Sequence, residues 1–177
     1  MRILWALFLL TALQKTGQPE IRIPDLERRV HELINKERAK NRQMALQFDE
    51  QLSRIARAHS ADMAKRKFFG HVNPDKRNAT ERGKLAGYNC RKVYTGGYTD
   101  GLAENIFQGN LYSRILITGN ERTYDWYSPE QIAEETVEGW MHSEGHRRNV
   151  LDKNYDREGI GIAIDANGKV FVTQDFC

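Results

Sequence analysis

The chain is 177 residues long, with 27 Lys and Arg against 24 Asp and Glu, a formal charge of +3 with histidines neutral, and 40% hydrophobic residues. That size suits one compact domain or two small ones, and the apolar content supports a buried core, which excludes disorder, coiled coil and collagen-like repeats. The two cysteines, Cys90 and Cys177, are too few for a disulfide-scaffold miniprotein, and neither sits in the Cys-x-x-Cys spacing of a structural zinc site.

The chain opens with Met1-Arg2, then an apolar run from Ile3 to Leu13, then polar Gln14-Lys15-Thr16. Such a run is shorter than the roughly 20 residues needed to span a bilayer, but fits the core of a secretory signal. Residues 1–17 are therefore expected to be an export signal, with an uncleaved anchor or buried helix as the alternative because no clean small-x-small cleavage site follows. No membrane span is expected once the signal is removed. Its removal takes away Arg2 and Lys15, leaving 27 − 2 = 25 basic against 24 acidic residues, about +1. Nucleic-acid binding needs a clear basic excess, so it is not expected. The clusters Arg28-Arg29, Lys65-Arg66-Lys67 and Arg147-Arg148 all have acids nearby and read as solvated faces. Export also implies an oxidising environment, in which Cys90 and Cys177 would tend to pair and close a loop of 177 − 90 = 87 residues.

One domain is expected over residues 25–177. Pro24-Asp25 predicts a helix capped by Asp25, with Leu26, Val30, Leu33 and Ile34 on one face. A second helix is expected from about Asp49, with Leu52, Ile55, Ala56, His59 and Met63 on one stripe, ending before Gly70-His71-Val72-Asn73-Pro74. From Pro74 to Thr123 only a short helix around Thr80–Ala86 is suggested, and no strand can be placed. Ser128-Pro129-Glu130-Gln131 is a capping box opening a helix lined by Ile132, Ala133, Thr136, Val137, Trp140 and Met141, with Gly145 expected to stop it. Ile160, Ile162 and Ile164, a turn at Asn167-Gly168, and Val170 and Val172 predict a hairpin with a tight primed turn.

Three segments put acid-base or metal-capable side chains beside helix breakers: Gly70-His71-Val72-Asn73-Pro74, Ala103-Glu104-Asn105-Ile106 and Ser143-Glu144-Gly145-His146. Neutral imidazoles with a nearby carboxylate can hold a divalent cation. Taken singly, a loop histidine is more often a capping or surface residue, and an isolated Glu is more often solvated. His142 and His146 stand four apart, but a zinc-protease helix needs Glu directly after the first His, where Ser143 stands. Neither Ser143 nor Ser60 has a Gly-x-Ser-x-Gly elbow, and no phosphate-cradling glycine loop is present.

Four blocks in order, Phe69-Gly70-His71-Val72-Asn73-Pro74, Ala103-Glu104-Asn105-Ile106, Gly139-Trp140 through Asn149-Val150-Leu151, and Gly159 to Ala163, resemble the CAP superfamily, which gathers cysteine-rich secretory, antigen 5 and pathogenesis-related proteins with SCP-like domains. The closing Val172-Thr173-Gln174-Asp175-Phe176-Cys177 is most similar to the prokaryotic branch. The resemblance implies an α+β fold, a three-layer α-β-α sandwich with a central, mainly antiparallel sheet and a large cleft. It implies a divalent metal, zinc above all, held among two His and two Glu. By position these are His71, His146 and Glu104, while the second acid departs from the family: Ser143 stands where it usually falls, and Glu144 is one residue late. A site short of one carboxylate should bind metal more weakly.

The resemblance implies a secreted binding or effector module for a lipid, glycan or envelope component. The alternative is a metal-assisted hydrolase in which Glu104 activates a cation-bound water. The aromatic segment from Tyr112 to Tyr127 either forms a cleft rim that stacks on sugars or lipid, or covers the sheet as core. Asn78-Ala79-Thr80 is an N-glycosylation acceptor pattern.

Overall fold

The computed structural model describes residues 17–177; the apolar leader expected at residues 1–17 lies, but for Gly17, outside them. The elements in chain order are α1 (Ile23–Lys40), β1 (Gln47–Phe48), α2 (Glu50–Arg66), α3 (Ala79–Leu85), β2 (Arg91–Tyr94), β3 (Gly97–Asp100), β4 (Ala103–Asn110), β5 (Tyr112–Thr118), β6 (Glu121–Trp126), α4 (Pro129–His142), α5 (Glu144–Leu151), β7 (Arg157–Ile164) and β8 (Lys169–Phe176). Strands β1-β7-β8-β4 form the central sheet in that order, antiparallel except for the short β1–β7 pair. α2 lies on one face of it; α1, α4 and α5 cover the other, giving the three-layer α-β-α sandwich.

Several helix boundaries follow from local chemistry. Asp49 caps α2, its carboxylate accepting from the backbone N–H groups of Gln51 (2.8 Å) and Leu52 (3.1 Å). Capping boxes open α3 (Asn78 with Glu81) and α4 (Ser128 with Gln131). Two boundaries differ from expectation. Arg22, not Asp25, is the cap residue of α1; Asp25 sits in the first turn, where it favours the positive end of the helix and pairs with Arg22 at 3.0 Å. Gly145 does not stop α4. The break is at Ser143, whose extended backbone (φ −96°, ψ 121°) ends α4 and starts α5, so Gly145 lies inside α5.

The two faces of β7 and β8 explain the core. Ile160, Ile162, Val170, Val172 and Phe176 point to one side, where they meet Leu26, Val30 and Ile34 of α1, Val137 and Trp140 of α4 and Val150 of α5. On the other side β7 is bare: a Cβ on Gly159 would lie 2.2 Å from the Ser53 nitrogen, and one on Gly161 2.0 Å from the Arg57 nitrogen. These glycines let α2 rest its backbone on the strand. Polar side chains then satisfy the outer edge of β7, with Ser53 accepting from the Ile160 N–H (3.1 Å), Glu27 from the Ile162 N–H (3.2 Å), and Ser60 donating to the Gly161 carbonyl (2.8 Å).

The β7–β8 turn is not the two-residue primed turn. Residues 165–168 connect the strands, Gly168 N–H bonds the Asp165 carbonyl, and Gly168 alone has positive φ (79°), while Asp165 accepts from the N–H groups of Asn167 and Lys169. The region where no strand was expected holds most of two hairpins, β2–β3 and β5–β6, outside the main sheet. In the second, Tyr112 and Trp126 pack against the core and Tyr124 stacks on Trp126 (4.7 Å), whereas Ile115, Leu116 and Ile117 are exposed. Cys90 and Cys177 are joined in a disulfide that ties the start of the first hairpin to the end of β8.

Candidate functional site

β4 is the edge strand, and its successive residues face opposite sides. Glu104 turns to the α2 side and is almost wholly buried, while Asn105 turns to the α5 side. His71 lies in the loop between α2 and α3, with its Nδ1 2.9 Å from Glu104 Oε1. Arg82 of α3 donates to Glu104 Oε2 and also to the carbonyls of His71 (2.9 Å) and Arg77 (3.0 Å). The Arg82 guanidinium thus fixes both the acid and the loop that carries His71.

His146 comes from α5 on the other side of the edge. Its pKa is held below the ordinary histidine value by burial and then by the charge of nearby His71, which keeps it neutral at neutral pH. His71 and Glu104 are therefore in contact on one side of the edge strand, while His146 lies on the other side, its carbonyl bonded to Asn105. Glu144 is not with them. Its exposed carboxylate pairs with Arg148 at 3.1 Å, one turn along α5, on the outer face of the helix. His142 is likewise separate, its Nδ1 on the Glu138 carbonyl at 2.8 Å. Among the described residues no three His, Cys, Asp or Glu side chains gather closely enough to enclose a metal ion.

Three neighbours escaped the sequence reading. His59, fully buried on α2, donates through Nε2 to the Gly70 carbonyl (3.0 Å) and lies 3.9 Å from Glu104 Oε2; burial pushes its pKa down. Asp175 is the cross-strand partner of Glu104, and both its oxygens are buried without a hydrogen-bond partner. Burial, and then the charge of Glu104, push its carboxyl well above the usual carboxylate range, so it holds its proton. Arg82 is the third. The available signal was β8 itself: Val170 to Cys177 are all buried, so Thr173, Gln174 and Asp175 had to find polar partners.

The recess beside His71 and Glu104 is small, about 370 Å³, and is lined also by Asn78, Thr80 and Leu102. The larger cavity, about 660 Å³, opens on the other side of Arg82 between α2 and α3. Its lining includes buried Ile55 and exposed Ala58 and Leu85, and its cations Arg54, Lys65 and Arg77 have no ion-pair partner among the described residues, whereas Asp62 and Asp75 are both held by Arg66.

Comparison with known proteins shows what the chain is similar to. YkwD, an uncharacterized protein of Bacillus subtilis, is 34% identical over 148 residues, 84% of this chain and 46% of its own length. The chain spans less than half the length of the curated relatives it matches, 46% and 34%. An extracellular SCP-domain protein of Bacillus anthracis superposes with a TM-score of 0.60 at 22% identity over 87% of this chain and 40% of that one. The structure of NaASP2 with Zn2+ does so with a TM-score of 0.55 at 13% identity, over 90% and 83%. The model of the cysteine-rich secretory protein family matches residues 31–176, and the chain belongs to that family, the CAP family.

Proposed function

We propose that this is a secreted, non-catalytic binding domain that holds a divalent cation, zinc above all, on His71 and His146. The observation that carries the reading is the His71–Glu104 hydrogen bond. Glu104 accepts from Nδ1–H, which fixes the tautomer and leaves the Nε2 lone pair of the half-exposed ring free for a cation. His146, kept neutral, supplies the second imidazole. Glu104 has one oxygen on His71 and the other on Arg82, so it orients a ligand rather than serving as one. The exposed Glu144 is outside the proposed set. Two imidazoles leave the remaining coordination positions to water or to a bound molecule, and such a site binds weakly. NaASP2, whose fold is similar, is a protein whose crystal structure was solved with Zn2+.

Export is supported by the leader sequence and by the Cys90–Cys177 disulfide. The ligand we propose is a lipid, glycan or envelope component with an anionic group, because the larger cavity is lined by Ile55, Ala58 and Leu85 together with Arg54, Lys65 and Arg77, which have no ion-pair partner among the described residues. The hydrolase alternative gains nothing from the geometry, since Glu104 is almost wholly buried and its two oxygens are engaged by His71 and Arg82.

Calorimetric titration with zinc tests the cation site. Binding is expected in the parent, weaker at pH 6 than at pH 8 because the imidazoles must be deprotonated, and lost in His71→Ala and in His146→Ala. Unchanged binding in both variants would refute it. Zinc-dependent turnover of ester or peptide libraries, abolished by Glu104→Gln with the fold intact, would overturn the non-catalytic reading.

A further inference from the structure

α5 carries His146, yet it has little of its own to hold it in place. It is eight residues long, its N-cap Ser143 makes no side-chain cap bond, and Val150 is its only buried residue. A helix of that length does not persist without external support. The support here is polar and comes from two directions.

Along the side of the helix that faces β4, the amide of Asn105 donates to the His146 carbonyl (3.1 Å), and Asn149 donates to Asn105 Oδ1 (2.9 Å) and to the Glu104 carbonyl (3.3 Å). Asn105 is itself fixed from behind. Its Nδ2 also donates to Gln174 Oε1 (3.0 Å), Gln174 donates to buried Glu158, and Glu158 lies 2.6 Å from His31 Nδ1 on α1. This chain crosses β4, β8 and β7 beneath the helices. At the C-terminal end the fully buried Arg38 of α1 donates through Nη1 to the carbonyls of Val150 (2.7 Å) and Asp152 (2.9 Å), and through Nε to that of Met44 (2.7 Å). Among the described residues Arg38 has no carboxylate within ion-pair distance, so its charge rests on carbonyls at the negative end of α5.

We propose that Arg38 and the Asn105–Asn149 amide pair, backed by Gln174, are positioning residues for the cation site: they clamp α5 along its β4-facing side and at its C-terminal end, and so hold His146 in place. The inference rests on the cation reading for its function but not for its structural content. α5 is then the part of the sandwich that opens first, because its anchoring is a few hydrogen bonds rather than a large apolar face. Releasing either clamp frees His146 while leaving both imidazoles chemically intact.

The test pairs hydrogen exchange with zinc titration in the full chain, comparing the parent with Arg38→Met, which keeps the aliphatic stem, and Asn149→Ala, at a partly exposed position that tolerates truncation. Exchange across residues 144–151 is expected to rise about tenfold or more, with β7 and β8 unchanged, and zinc affinity to fall by about ten- to a hundredfold. Should Arg38→Met not fold, Asn149→Ala decides. Uniform loss of protection across α5 and the sheet, or unchanged protection and affinity in Asn149→Ala, would overturn the proposal. A parent that binds no zinc would sink the cation reading alone, and the exchange pattern would still judge the clamps.

Discussion

The packing of α2 on β7 makes Gly161→Ala the sharpest test of the fold. The added Cβ would stand 2.0 Å from the Arg57 nitrogen, 2.2 Å from the Ala56 carbonyl carbon and 2.6 Å from the Arg57 Cα. All three are backbone atoms, so no side chain can swing aside. Restoring ordinary contact requires α2 to retreat by roughly 1.5 Å, a shift that a close-packed interior resists. The retreat would also stretch the Ser60 bond to the Gly161 carbonyl and the Ser53 bond to the Ile160 N–H. Overpacking of about 1–3 kcal/mol and about 1 kcal/mol for each of two buried hydrogen bonds give a loss of about 3–5 kcal/mol. That is a large part of the roughly 5–15 kcal/mol that holds a domain folded. Urea unfolding at constant m measures it. Gly145→Ala is the matched control: nothing lies within 4 Å of its Cβ and it sits in a helix, so it should be neutral or stabilise by up to about 1 kcal/mol. A Gly161→Ala loss below about 1 kcal/mol would refute the backbone-on-backbone packing.

Replacing Cys90 and Cys177 with serine opens a loop closed over a sequence separation of 87 and should cost about 4–5 kcal/mol in denaturant unfolding, against which an unchanged midpoint would count. Arg57→Met should cost more than a surface charge, about 3 kcal/mol or more, because it strands the buried Glu27 carboxylate that its guanidinium grips at 2.7–3.0 Å; Arg114→Met, across from exposed Asp125, should stay within about 0.5 kcal/mol. Asp175→Asn should stabilise the protein at neutral pH. With its folded pKa raised, Asp175 keeps a proton that the unfolded chain releases, so parent stability falls as pH rises above the unfolded pKa near 4, by at most about 1.4 kcal/mol per pH unit. The gap between variant and parent should therefore widen from pH 4 upward, and a gap that is flat with pH would contradict a protonated Asp175.

The helices were legible because their signals are local. Asp49, and Ser128 with Gln131, satisfy their own first turns, and the stripe from Leu52 to Met63 needs no distant partner to be seen. β7 and β8 were legible from alternation. β2 to β6 were not: the two hairpins stand largely off the sheet, with Val93, Tyr94, Tyr98 and the consecutive Ile115 to Ile117 exposed, and β4, though in the central sheet, buries polar Glu104 and Asn105 and so breaks the apolar alternation. The family resemblance supplied His71, Glu104 and His146, which no periodicity would have joined. Arg82, His59 and Asp175 depend on the register Glu104↔Asp175 and on where α3 packs, neither of which is written in any one segment.

The dipeptide Glu104-Asn105 shows how an edge strand builds such a site. Because alternate residues face opposite layers, one peptide unit sends a carboxylate to the loop after α2 and an amide to α5. A central strand would leave those two layers separated by the full thickness of the sheet. At the edge no further strand among the described residues pairs with β4, so this one strand alone divides the loop after α2 from α5. The acid then sets the tautomer of one imidazole while the amide sets the backbone position of the second. Exchanging the two side chains, Glu104→Asn with Asn105→Glu, keeps composition and strand register but reverses both assignments, and should weaken zinc binding by about ten- to a hundredfold. Unchanged binding in that double variant would mean the two faces of β4 do not divide the work in this way.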